Sequence, residues 1–197
     1  MKLNWAERWV VNNPIRSAQQ GFIIRWMRRN SEPRAFSNVL EVGCGRGSGA
    51  RLILREFKPE RLQITDLDNE MIFKARRYLS SSELARAASY AADVSHLPCR
   101  SSSFDAVFGL GVLHHVEDWQ RAISEIARVL KPDGSYFFEE IYPSVYQNCL
   151  TRRILLHPRH NRFFSRDLKE VLADNDLPVT AVREIGNLNI IAVCVKQ

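Results

Sequence analysis

Residues 39–50 read VLEVGCGRGSGA, with glycine at 43, 45, 47 and 49 directly after a run of strand-forming residues. Glycine weakens regular structure and is selected where backbone turns tightly or approaches a ligand closely. The stretch therefore reads as the floor of a binding site, with a plain tight turn as the lesser reading. Gly45 to Ala50 fits GxGxxA, a variant of the dinucleotide fingerprint, and Asp66 follows about 20 residues later, where an acid receives ribose hydroxyls. That spacing alone suits NAD as well as any other adenosine ligand. A second chemistry sits at His114 and His115. Neutral imidazole near pH 7 is a competent general base. Successive side chains diverge, so one of the two is expected to face a pocket and the other to pack. Adjacent histidines without a third ligand make a poor metal site. The four cysteines (44, 99, 149 and 194) show no CxxC pair, so free thiols in a reducing, cytoplasmic setting and no metal are expected.

The elements that must position these groups alternate. NVLEV reads as a strand, ARLILREF as a helix, RLQIT as a strand, and NEMIFKARRYL as a helix with Asp68 at its N-cap. ASYAAD and FDAVFGL follow as strands. Asp118 caps WQRAISEIARVL, whose Ile123, Ile126, Ala127 and Leu130 form one apolar face. KPDG ends that helix and turns into the strand SYFFEEI. Strands separated by helices argue an α/β fold with a mostly parallel sheet covered on both faces, and ligands then bind beyond the carboxyl ends of the strands. Two helical stretches, 3–11 and 15–29, precede the first strand. Residues 143–178 break the rhythm before two closing strands, TAVREI and NIIAVCVK, joined at Gly186-Asn187. The expected organisation is an N-terminal helical segment over 1–37, then one domain over 38–197 with 143–178 as an insertion.

Taken together, EVGCGRG at 41–47, Asp66, Asp93-Val94, VLHHVEDW at 112–119 and VLKPDG at 129–134 resemble the class I S-adenosylmethionine-dependent methyltransferases, and among them the small type 11 subgroup. The resemblance runs from about Asn38 to Tyr142, with the motifs in order. It implies a Rossmann-like three-layer sandwich whose seven-stranded sheet is parallel except for its last strand. It implies S-adenosylmethionine as cofactor, S-adenosylhomocysteine as product and no metal. Glu41, Gly43, Cys44, Gly45 and Gly47 then match the loop around the methionine part, with Gly109 nearby at the end of the fourth strand. Asp66 matches the acid that accepts both ribose hydroxyls, and Leu67 packs on adenine. Asp93 matches the acid that receives the adenine amino group, with Val94 supplying a backbone amide. His114 matches the position of the pair that lines the active site, and is the candidate for substrate contact or base. One departure is Lys131-Pro132-Asp133-Gly134, where the family often has KPGG.

A methyl group on sulfonium is already activated, so proximity and in-line alignment carry the reaction, and a base is needed only for an acceptor that arrives protonated. Pro98-Cys99 precedes the fourth strand, the wrong side for a base-attacking cysteine, and no NPPY-like tetrapeptide follows that strand. The resemblance also implies that the segment 1–37 caps the acceptor site and that the 143–178 insertion lies on the substrate side. The aromatic residues in or beside them (Trp5, Trp9, Phe22, Trp26, then Tyr142, Tyr146, Phe163, Phe164) read first as core, and otherwise as the walls of an acceptor pocket. Arginines at 16, 25, 28, 29 and 34, and at 152, 153, 159, 162 and 166, would receive a carboxylate or phosphate there. The expected acceptor is a small aromatic, amphipathic or anionic molecule, with its methylated atom open. The net charge of +6 over 197 residues allows RNA as a second acceptor class, but no RNA module is recognisable. A third reading is weak contact of the Trp/Arg-rich N-terminus with a membrane surface, suiting a lipid or quinone precursor. No apolar run approaches the roughly 18 residues of a membrane span, and no secretory signal is recognisable. The sequence leaves the oligomeric state open.

Overall fold

The computed structural model describes residues 14–146 and 160–197. The expected helix over 3–11, Trp5, Trp9, Cys149 and the arginines at 152, 153 and 159 lie outside the described residues. Helix α1 (Pro14–Arg29) leads into β1 (Asn38–Val42), followed by α2 (Ser48–Glu56), β2 (Arg61–Asp66), α3 (Asn69–Tyr78), the single turn α4 (Ser81–Leu84), and β3 (Ala87–Ala91). Then come β4 (Phe104–Leu110), a 3-10 turn (Leu113–His115), α5 (Trp119–Val129), β5 (Leu130–Ile141) and the short α6 (Pro143–Tyr146). Helix α7 (Ser165–Asp174) and the hairpin β6 (Val179–Ile185) and β7 (Asn189–Val195) complete the described chain.

The strands form one sheet in the order β3-β2-β1-β4-β5-β7-β6. Pairing is parallel from β3 to β5, and β7 runs antiparallel between β5 and β6, as the sequence led one to expect. The chain steps outward from β1 through β2 to β3 and then returns to the other side of β1 at β4. Strand order reverses there, and the crevice beyond the carboxyl ends of β1 and β4 opens at that reversal.

Two apolar clusters cover the two faces. One holds α5 and α7 residues such as Trp119, Ile126 and Leu168 against Tyr136 and Phe138 of β5. The other holds Ile23, Ile24 and Met27 of α1 and Ile53 of α2 against Phe108 and Phe137, whose rings stack at 4.6 Å. The predicted caps are in place. Asp68 accepts from the Glu70 amide at 3.0 Å and Asp118 from the Arg121 amide at 3.1 Å, each worth about 1 kcal/mol. One boundary differs. KPDG was expected to turn ahead of β5, but β5 already begins at Leu130, which pairs with Phe104, and the register shifts before Ser135. Pro132 has no N–H for the ladder and Asp133 takes φ +60°, so these residues bulge out of an otherwise continuous strand.

Candidate active site

A cavity of about 380 Å³ lies at the reversal of strand order, lined from the ends of β1, β2 and β4 and from the loop after β3. Gly43 takes φ +64°, and a Cβ there would meet Val112 at 2.5 Å. Gly45 takes φ +51° with open space where a side chain would stand, so the loop turns its bare backbone to the cavity. Asp66 holds this loop from the next strand. One carboxylate oxygen accepts from the Gly45 amide and the other from the Asp68 amide, both at 2.9 Å. Burial raises its pKa against these hydrogen bonds.

Glu41, only 2% exposed, sits beneath the loop with Oε2 unpartnered. Burial first, and the nearby Asp66 charge second, push its carboxyl well above the usual range. Asp93 and Val94 lie on the opposite wall, where Asp93 accepts from the Ser95 amide at 2.8 Å. Leu67 lines the cavity mouth and is 54% exposed. Cys44 lines the cavity too, its thiol pushed up by burial and so inert.

Two residues expected in the cofactor loop stand off the cavity wall. Gly47 starts α2 at φ +92°, where a Cβ would press on Ala75 at 3.1 Å. Gly109 is covered by Tyr136, whose hydroxyl lies 3.0 Å from where a Cβ would stand. Both serve packing of the site and do not face its space. Cys99 sits away from the wall as well, with Sγ 3.1 Å from the Tyr90 hydroxyl.

The other end of the cavity is built by the 3-10 turn. His114 and His115 both line it, with ring centroids 4.2 Å apart. The expectation that only one would face the pocket is corrected, because a tight turn does not alternate side chains as a strand does. Beneath the turn lies Glu140 of β5, fully buried. It accepts the backbone N–H groups of Val112, Leu113 and His114 at 2.9, 2.8 and 3.2 Å, and its Oε2 is 2.6 Å from His114 Nδ1. Burial pushes Glu140 up to about 7 against those donors. Burial, then the charges of Arg16 and Arg162, push His114 down to about 3, so the imidazole is neutral at physiological pH. The preceding residue, Glu139, points to the cavity side and grips Arg16 of α1 through two hydrogen bonds of 2.7 and 2.6 Å. Neither acid was singled out from sequence. Their signal was present in SYFFEEI, where two consecutive acids end an otherwise apolar strand and must point to opposite faces.

Among the described residues, five of the arginines offered for an anionic acceptor are engaged elsewhere. Arg16 is held by Glu139. Arg162 donates to the carbonyls of His114, Val116 and Glu117, bracing the histidine turn. Arg34 donates to the Asp105 carbonyl and Ser135, Arg28 lies over the Phe57 ring, and Arg166 pairs with Glu170 on the surface. Among the aromatics, Tyr142, Tyr146 and Phe163 are buried, and the Tyr146 ring stands 5.9 Å from that of His114. Phe22 and Phe164 are exposed. Among the described residues no cluster of three or more His, Cys, Asp or Glu could hold a metal ion, and no helix is long and apolar enough to cross a membrane.

Residues 40–138, half of the chain, match the family model described as a methyltransferase domain. The chain belongs to the class I S-adenosylmethionine-dependent methyltransferases. Its fold also agrees with solved members. A SAM-dependent methyltransferase from Aquifex aeolicus superposes with a TM-score of 0.77 over 100% of both chains, at 16% identity. Similar curated proteins include a fatty-acid O-methyltransferase of Mycolicibacterium smegmatis, 33% identical over 105 residues that cover 53% of this chain and 37% of that one. They also include a mitochondrial arginine hydroxylase of Danio rerio, 30% identical over 156 residues, 79% of this chain and 44% of that one. The chain thus spans half or less of the length of these relatives. The residues present fit S-adenosylmethionine. The open space beside Gly45 and the unpartnered Oε2 of Glu41 suit an amino-acid moiety, and Asp66, with lone pairs remaining, suits vicinal hydroxyls.

Proposed function

We propose that this chain transfers a methyl group from S-adenosylmethionine to a small molecule with an apolar body and a nucleophile that arrives protonated. The observation that carries the reading is the single cavity wall running from the glycine loop, Asp66 and Asp93 at one end to His114 at the other. When bound, the cofactor supplies an activated methyl group. Gly45 and Glu41 would take its amino-acid part, Asp66 its ribose, and Asp93, Val94 and Leu67 its adenine. His114 stands at the far end as the group that takes the acceptor's proton. Ile141, Val145 and Val116 supply apolar wall beside it. An anionic acceptor has lost support among the described residues, since Arg16 and Arg162 are already held by other groups. A lipid-like acceptor keeps support from the name of the Mycolicibacterium relative and from this apolar wall. RNA gains none.

Calorimetric titration of the purified protein with S-adenosylmethionine, S-adenosylhomocysteine and NADH tests the cofactor. Micromolar binding of the first two and none of NADH is expected; the reverse would overturn the assignment. Mass analysis of acceptor products then separates a gain of one methylene from a gain of one oxygen, the outcome a hydroxylase would give.

A further inference from the structure

We propose that Glu140 is a positioning residue that fixes His114 in its Nδ1–H tautomer, so that Nε2 is the nitrogen that accepts a proton. The proposal rests on the reading of His114 as a base. The geometry is specific to that task. One carboxylate gathers three successive backbone N–H groups and the ring Nδ1, so it sets the path of the turn and the plane of the imidazole together. All four partners of Glu140 are donors only if Nδ1 carries its hydrogen. An Nε2–H tautomer would instead put two lone pairs against each other at 2.6 Å, unless Glu140 itself were protonated. The arrangement repeats the logic of a base oriented by a buried acid. Here the acid also organises the loop that carries the base.

In the proposed step the proton on the acceptor's nucleophilic atom passes to Nε2 as that atom bonds the methyl carbon. The pair of the broken C–S bond stays on sulfur, and the resulting imidazolium rests against the Glu140 carboxylate before releasing its proton to solvent. Burial raises Glu140 toward neutrality, so the device works when that acid is ionised, above about pH 7. Besides Glu140, the groups facing His114 are His115 of the same turn, Tyr146 of α6, Arg16 of α1 and Arg162. Arg16 favours the ionised form of Glu140, and both arginines disfavour the imidazolium.

The test is the long-range 15N–1H spectrum of the histidine side chains in the full chain at pH 8, with His114→Gln to assign the signals. In the unaltered protein Nδ1 should carry the hydrogen and Nε2 should not. Glu140→Gln should reverse this. Its amide oxygen would stay with the Val112 and Leu113 N–H groups, and its NH2 would then donate to Nδ1 while the His114 N–H loses its acceptor. Turnover in that variant should fall about a hundredfold with cofactor affinity unchanged. An Nε2–H or doubly protonated His114 in the unaltered protein would overturn the proposal, and this reading does not depend on the folding of Glu140→Gln. An unchanged tautomer in Glu140→Gln would overturn it too. If the tautomers behave as expected but His114→Ala keeps full turnover, the base reading fails while the positioning by Glu140 stands.

Discussion

The two ends of the cavity are built by opposite means. At the glycine-loop end the parts lie within residues 41–94, and the chain meets the site mainly through backbone. Asp66 reaches Gly45 across 21 residues, and both contacts of its carboxylate are to main-chain amides. At the histidine end the parts come from far apart and meet through charged side chains. Glu140 lies 26 residues from His114, Arg162 lies 48 from it, and Arg16 lies 123 from Glu139. A site made of local backbone is a motif; a site made of contacts between distant side chains is a consequence of the fold. The first end can stay constant while the second is altered one side chain at a time.

That contrast can be broken or sharpened by substitution. The largest effect is expected from His114→Ala, which should lower kcat about a thousandfold at pH 8 and leave cofactor affinity intact in calorimetry; weakened cofactor binding would mean that the two ends are not separable. Asp66→Ala should do the converse, weakening S-adenosylmethionine binding about a hundredfold through lost hydrogen bonds to a charged group. Unchanged affinity would remove Asp66 from the cofactor map. Arg16→Ala leaves Glu139 buried beside the cavity without its bidentate partner, and should lower stability by about 3 kcal/mol in urea unfolding. A loss confined to turnover would instead place Arg16 at the acceptor.

Stability against pH tests the buried acid and imidazole together. His114, held at about 3 in the fold, leaves a proton that the unfolded chain binds below about 6.5, so its contribution falls as pH drops through that window. Glu140, raised to about 7, binds a proton that the unfolded chain releases above about 4.5, so its contribution falls as pH rises. The slopes oppose each other between those limits. The pair's net contribution should therefore stay level from pH 6.5 to 4.5 and be lost below 4.5. A steep loss already at pH 6 would show that Glu140 remains ionised there. The smallest effect is expected from Arg166→Ala, which should change neither stability nor turnover measurably, since its pair with Glu170 is on the surface.

The alternation of strands and helices was legible because buried strands and amphipathic helices carry different periods, and Asp68 and Asp118 marked helix starts. Glu41, Asp66, Asp93 and Val94 were legible because residues 41–94 keep the family's order, and all four line the cavity. The bulge at Asp133 was not, since Lys-Pro-Asp-Gly describes a free turn as well as an interruption within a strand. Gly47 and Gly109 were read as ligand-facing, but glycine also answers to a neighbour's bulk, here Ala75 and Tyr136. Glu139 and Glu140 escaped notice because nothing local tells which buried acid has found its cation or its ring of amides.

The guanidinium of Arg162 spans three carbonyls of the histidine turn from the segment leading into α7. The order of the histidine turn is thereby tied to that of the segment leading into α7. Any shift of Arg162 loosens the turn that carries His114, and any contact that holds Arg162 in place stiffens that turn. Slower hydrogen exchange at the Val116 amide, which bonds the Leu113 carbonyl within that turn, would register such coupling when acceptor binds; unchanged exchange would show the clamp to be static.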